Sequence, residues 1–340
     1  MIRALIRRRP FATYYGLAFF IASMVVVQQY FYGVGWAAAH GGQHFEYNSV
    51  LLKGISDFYR GPVYANLISI VWVVFNRNPV YLGVLIFGAA PTISAIIITA
   101  LGWGWPGVKR LLGRFRPWPS RAFRRDALFT YGFITLFFFV WSLVNLTIIG
   151  RVHGMQDVVN HTAYWGLPLY LFPLTFLIGG LIDEGGTSEE LGWRGFALPT
   201  LLGEMANPLV VAVFLGVLWW FWHFPREVPN LIAGKAVMGG PLQWGTFLYY
   251  QALFLVLVVA MSIVSTFFFF RTGGSVIPGI LLHGWANFIS KGVGIYDITT
   301  FDVRTCLEIA AAVLIIILCG SQLGRVRYLK LQALDAQRPA

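Results

Sequence analysis

Apolar residues run along this chain in unbroken blocks, with neither the alternation of a half-buried strand nor the stripe of a surface helix. Each block is about 16 to 24 residues, enough at 1.5 Å per residue to cross a hydrocarbon core of about 30 Å. Short stretches rich in Gly, Pro and Arg separate them. The pattern predicts spans at 11–34, 79–102, 127–149, 168–199, 209–224, 246–270, 275–289 and 306–323. The expected fold is therefore all-α, a polytopic membrane helical bundle of about eight transmembrane helices. The fourth span is broken, because Gly185-Gly186 interrupts its apolar run. The stretch Pro62 to Phe75, at fourteen residues, is short for an untilted span and reads as interfacial or re-entrant.

Composition agrees. In 340 residues, 57% are hydrophobic and only 11% charged, with mean hydropathy +0.68. That is more apolar surface than a soluble domain of this length would bury, so the solvent is lipid and the setting an integral, multi-pass protein of a bacterial or archaeal cell membrane. Three parts are expected: an N-terminal anchor with the interfacial segment (1–78), a membrane domain (79–323) and a basic tail (324–340). The first block follows Arg7-Arg8-Arg9 and precedes Ala37-Ala38-Ala39, which admits a cleaved signal peptide, but its length fits an anchor better.

The net charge of +11 does not make this a nucleic-acid binder, because the basic residues lie between apolar blocks. They act as topology signals. With the N-terminus inside, segments 1–10, 103–126, 183–208, 271–274 and 324–340 hold 17 of the 25 Lys and Arg. Both termini are then cytoplasmic, and residues 150–163 lie on the far side. Cys306 and Cys319, thirteen residues apart on one helix, are separated by roughly 20 Å along its axis, too far for a disulfide.

Acids and histidines at membrane depth are costly and so are candidates for chemistry. Three segments carry them: Asp183 to Arg194, Trp219 to His223, and His283 to Asn287. Each has a structural reading beside the functional one. Thr187 with Glu190 three residues on is a capping-box pattern, and Glu190 also stands four residues before Arg194, so Glu190 and Arg194 read as structural support. Glu189 has neither capping spacing nor a basic partner at i+3 or i+4 and is the functional candidate. His223, at a span end, is ambiguous alone. His283, deeper and followed by Asn287 on the same helix face, is not. Asp183 and Glu184 are read as lining an aqueous mouth. At 1.5 Å per residue, Glu189, His223 and His283 lie about 15, 22 and 13 Å from the inner surface, a spread that tilt and the Gly breaks can absorb.

At these residues the sequence resembles the CPBP (Abi) family of intramembrane proteases, which includes type II CAAX prenyl endopeptidases, bacteriocin-processing or self-immunity proteins and lysostaphin-resistance proteins. The family's EExxxR motif stands as Glu189-Glu190-Leu191-Gly192-Trp193-Arg194, and its final His with Asn four residues on as His283 and Asn287. The FxxxH motif departs, with Trp219 in place of Phe before His223. The resemblance covers roughly 80–323.

The resemblance implies an intramembrane endopeptidase acting on membrane-associated or prenylated-type peptide or protein substrates. Glu189 and His223 would activate water, His283 and Asn287 would face the oxyanion, and Glu190, Arg194 and Trp219 would support them. It leaves two mechanisms. The favoured one requires no cofactor; the alternative places zinc on His223, His283 and Glu189. Other function classes also stay open: a non-catalytic immunity or scaffold protein of the same fold, or a proton-coupled transporter. Apart from the substrate, membrane lipid is the expected partner. The chain's own end, Gln337-Arg338-Pro339-Ala340, is no CaaX box.

Overall fold

Polar residues at the ends of the apolar blocks start the helices. Asn66 accepts from the Ser69 backbone N–H while Ser69 Oγ accepts from the Asn66 N–H, a reciprocal box that opens a short helix. Asn207 caps a second helix start, with Pro208 in the first turn where a missing N–H costs nothing. The computed structural model describes residues 2–43, 45, 47–59, 66–152, 154, 169–232, 234, 241–289 and 298–336. Among them the chain is helical, without β-strands.

The helices are α1 (Ile2–Arg8), α2 (Pro10–Ala39), α3 (Tyr47–Tyr59), α4 (Leu67–Asn76), α5 (Leu82–Leu112) and α6 (Arg124–Val152). Next come α7 (Phe172–Leu181), α8 (Glu184–Glu190), a π-helical turn (Leu191–Ala197) and α9 (Leu198–Glu204). The remainder are α10 (Pro208–Trp222), α11 (Val228–Ile232), α12 (Trp244–Arg271), α13 (Ile277–Phe288), α14 (Ile298–Cys319) and α15 (Arg325–Ala336). The polytopic helical bundle expected from the apolar blocks is the fold observed.

Among the described residues six helical stretches are long and apolar enough to cross a membrane: Pro10–Ala39, Pro79–Phe115, Arg121–Ile148, Pro208–Glu227, Trp244–Arg271 and Val303–Gln322. The expectation of eight is not reached by this measure. The two remaining predicted spans are shorter among the described residues. The fourth is a series of pieces from Phe172 to Glu204, and α13 has 12 residues, about 18 Å of helix. They are seated on each other, α13 packing against both α7 and α8. Of the stretch read as interfacial, residues 62–65 fall outside the described residues and most of the rest forms α4. Of the far-side loop, only 150–152 and 154 are described.

Irregular backbone inside the bundle is matched by donors from elsewhere. Within α5, Pro106 has no N–H to give the Gly102 carbonyl, and that oxygen accepts from the Arg3 and Arg7 Nε–H groups at 3.2 and 2.8 Å. α5 also kinks at Gly104, whose φ of 66° suits only glycine. At the break between α7 and α8, the Ile182 carbonyl accepts from the Leu67 N–H at 3.0 Å. Non-helical backbone at membrane depth is tolerable on these terms.

Lipid-facing stripes complete the picture. On α6, Phe129, Phe133, Leu136 and Val140 follow one another at helical spacing and all are exposed. The inner face of the bundle is instead aromatic, with Trp193, Trp219, Trp222 and Trp285 among the largest fully buried side chains. α2 packs along α5, and its Tyr14 lies edge-on to Trp193 at 5.9 Å.

Candidate active site

The Gly-rich turn that divides α7 from α8 sets the first part of the site. Asp183 is the N-cap of α8, its Oδ2 accepting from the Gly186 N–H at 2.7 Å. The sequence pattern gave this capping role to Thr187 and Glu190, and the structure corrects it: Thr187 Oγ donates to the Leu181 carbonyl, and the Glu190 carboxylate points elsewhere. Asp183 is fully buried rather than lining a mouth. Its Oδ2 also accepts from Asn287 Nδ2 at 2.9 Å, so one carboxylate both starts α8 and holds a side chain of α13. Glu184 is half-buried.

Glu189 and Glu190 follow at the end of α8, rotated about 100° from each other. Glu189 is 5% exposed, and its Oε2 accepts from two indoles, Trp219 Nε1 at 2.9 Å and Trp193 Nε1 at 3.3 Å. These donors fix the carboxylate's plane. Glu190, fully buried, divides its oxygens: Oε1 lies 3.1 Å from His283 Nδ1, and Oε2 lies 3.4 Å from Arg194 Nε. The Arg194 pairing expected from the i, i+4 spacing is present. Arg194 also stacks over the Trp219 ring, 4.6 Å from its centroid. Arg194 was counted above among the inner loop charges; at 1% exposed it belongs to this cluster instead, leaving 16 rather than 17 of the 25 Lys and Arg in those segments.

His223 comes from the C-terminal end of α10. Its Nδ1 stands 2.8 Å from the Trp219 carbonyl. A carbonyl only accepts, so Nδ1 carries the hydrogen and Nε2 is the lone-pair nitrogen of the neutral ring. Trp222 and Phe254 pack edge-on to the ring, at 4.7 and 5.1 Å.

His283 lies on α13, whose backbone sits directly on α7 and α8. A side chain at Gly284 would overlap the Gly180 carbonyl oxygen, and one at Gly186 would meet the Gly284 amide at 2.7 Å. A Cβ on Gly185 would come within 2.8 Å of His283 Nε2 and 3.1 Å of Asn287 Nδ2. Glycine at these positions lets the helices approach closely enough for Asp183 and Glu190 to reach α13. Trp219 lies edge-on to His283 at 5.2 Å, and so touches the residues of all three motifs.

The structure therefore brings together every residue singled out above: Glu189, Glu190, Arg194, Trp219, His223, His283 and Asn287. Three features were missed. Asp183 was placed in solvent because an acid next to Gly-Gly reads as loop. Trp193 was not singled out, although its place four residues after Glu189 predicts contact on one helical face. Tyr14 is fully buried against the site's aromatic wall, and no local pattern on α2 marks it.

A zinc site on His223, His283 and Glu189 would need three donors converging on one point. Among the described residues no set of three His, Cys, Asp or Glu converges in that way. His283 Nδ1 and His223 Nδ1 are engaged by Glu190 and a carbonyl, and one oxygen of Glu189 holds two indoles, which leaves the two Nε2 atoms and the second Glu189 oxygen for a reacting group or an ion.

Fold and site together define a polytopic helical membrane protein with a buried acid–histidine centre where three helical segments meet. Residues 165–289, the stretch that contains all of these motifs, match the family described as type II CAAX prenyl endopeptidase Rce1-like. A curated relative, CAAX prenyl protease 2 of Methanococcus maripaludis, is 26% identical over 139 residues, 40% of this chain and 48% of that protein. The matched region thus spans about half the length of that relative. Within the class defined by the fold, residues 165–289 are thus similar to type II CAAX prenyl endopeptidases.

Proposed function

We propose that this protein is an intramembrane endopeptidase that hydrolyses peptide bonds with a water activated by Glu189 and His223. The observation that carries the reading is the cross-linking of three remote motifs into one buried cluster: Glu189 to Trp219, and Glu190 to His283. Peptide hydrolysis needs a base for water, donors for the oxyanion and a proton for the leaving amine. Glu189, with one oxygen committed to the indoles, keeps the other for the water. His223 Nε2 supplies a second acceptor, and the carboxyl formed returns its proton to the departing amine.

His283 and Asn287 meet the oxyanion. With His283 Nδ1–H given to Glu190, its Nε2 is the nitrogen left for the reacting group and donates as the imidazolium. The Asn287 amide has two hydrogens, and Asp183 takes one. The relative's name points to prenylated C-terminal peptides as substrates, and a membrane-buried site suits a substrate delivered from the lipid. On this reading the mechanism needs no metal.

The test uses full-length protein in nanodiscs with prenylated and unprenylated peptides, products being read by mass spectrometry. Glu189→Gln and His223→Ala should give no product. Asn287→Ala and His283→Ala should be slowed about 100 to 1000 fold, as for loss of an oxyanion donor. Cleavage by the Glu189→Gln protein sinks the reading. One zinc per chain by elemental analysis, lost in both histidine variants, replaces it with the metal mechanism.

A further inference from the structure

A concave cationic cleft stands apart from the acid–histidine cluster. It lies between the end of α5 with the turn that follows and the α12–α13 turn, with a volume of about 370 Å³. Lys109, Arg110, Arg114 and Arg116 line it together with Gly274 and Ser275, and no acidic side chain does. Arg114 is anchored there, its NH1 donating to the Gly274 carbonyl at 3.1 Å while the Arg114 carbonyl accepts from the Val276 N–H at 2.9 Å. Its guanidinium also rests on the Phe269 ring at 5.5 Å. Lys109, Arg110 and Arg116 are exposed.

Loop cations at a membrane end are ordinarily topology signals, and that accounts for their number. It does not account for a cleft, for one arginine fixed as its floor, or for the absence of acids from its lining. Guanidinium groups present forked donors that match phosphate oxygens. A basic recess between helices at the headgroup level is the setting in which phosphate-bearing lipids are recognised. We infer that this cleft binds the phosphate of an anionic phospholipid headgroup, with Arg114 as the fixed donor and Lys109, Arg110 and Arg116 closing around it. Ser275 and Gly274 belong to the turn that leads into α13, so a headgroup seated here touches the segment carrying His283.

The test compares full-length protein in nanodiscs of phosphatidylcholine alone and of phosphatidylcholine with phosphatidylglycerol, the co-purifying lipids being counted by native mass spectrometry. Phosphatidylglycerol should be retained over phosphatidylcholine by about fivefold or more, as each basic residue near a lipid surface is worth about that factor. A triple Lys109→Gln, Arg110→Gln, Arg116→Gln variant should lose the preference. A control of equal charge, Arg8→Gln, Arg9→Gln, Lys330→Gln, should keep it. Equal loss in both variants shows diffuse attraction and overturns the site. Inorganic phosphate is tried separately in detergent by thermal shift. If it stabilises the protein and the triple variant abolishes that, while the two lipids are retained alike, the site belongs to soluble phosphate and the lipid assignment fails.

Discussion

At the scale of single residues, the two adjacent glutamates divide the work by direction, which sequence spacing foresaw for Glu189 but only half foresaw for Glu190. The Arg194 pair was legible from i, i+4 spacing; the His283 contact was not, because it crosses 93 residues of sequence. Glu190→Gln removes the counter-charge of a guanidinium that is 1% exposed and the carboxylate that orients His283. Breaking a buried pair costs on the order of 3–5 kcal/mol. The variant should therefore lose about that much stability in chemical unfolding from detergent, with activity falling alongside; unchanged unfolding refutes it. Tyr14 offers the converse case. Its hydroxyl is fully buried with no hydrogen-bond partner among the described residues, and such a group carries its desolvation penalty uncompensated. Tyr14→Phe should leave stability unchanged or raise it by about 1 kcal/mol. A clear loss in the same unfolding assay means the hydroxyl is bonded.

At the scale of elements, the long apolar helices were readable because hydrophobic length is a one-dimensional property. The pieces that build the site were harder. A π-helical turn at Leu191–Ala197 leaves no composition signal, though such turns concentrate at functional sites. The short α13, read as a span because its apolar residues merge with the flanking ones, has 12 described residues and is laid on α7 and α8. That contact depends on absent side chains. Gly284→Ala should separate α13 from α7 and abolish both folding yield and activity, since backbone has no room to yield. Gly16→Ala, where nothing lies within 4 Å, should behave as wild type. Equal tolerance of both substitutions, scored by detergent-soluble yield and gel filtration, refutes the close-packing account.

For the whole molecule, the segments assigned to one side by charge, four of which keep basic residues once Arg194 is set aside, are linked by contacts at one end of the bundle. Arg3 and Arg7 reach Gly102, Arg114 reaches Gly274, Arg325 reaches Ala206, and Arg327 grips Asp126 with two hydrogen bonds of 2.7 and 3.0 Å. Charge bias and three-dimensional contact are independent, and they agree on the grouping. We expect this end to be cytoplasmic. In a background with Cys306 and Cys319 replaced, single cysteines at Arg8, Arg116 and Lys330 should label only from inside and one at Gly154 only from outside. Labelling of the first three from outside inverts the topology.

The seating of α13 on α7 and α8 also bears on how the chain is made. The ribosome releases α7 and α8 seconds before α13, at about 5–20 residues per second. During that interval Asp183 and Glu190 lack the asparagine and histidine that later meet them, and one acid at mid-membrane costs about 2.5–3.5 kcal/mol on an insertion scale. The broken segment is thus a poor passenger until its successor arrives. Of the segments that build the acid–histidine centre α13 is the last along the chain, so the centre cannot be completed before α13 reaches the bilayer.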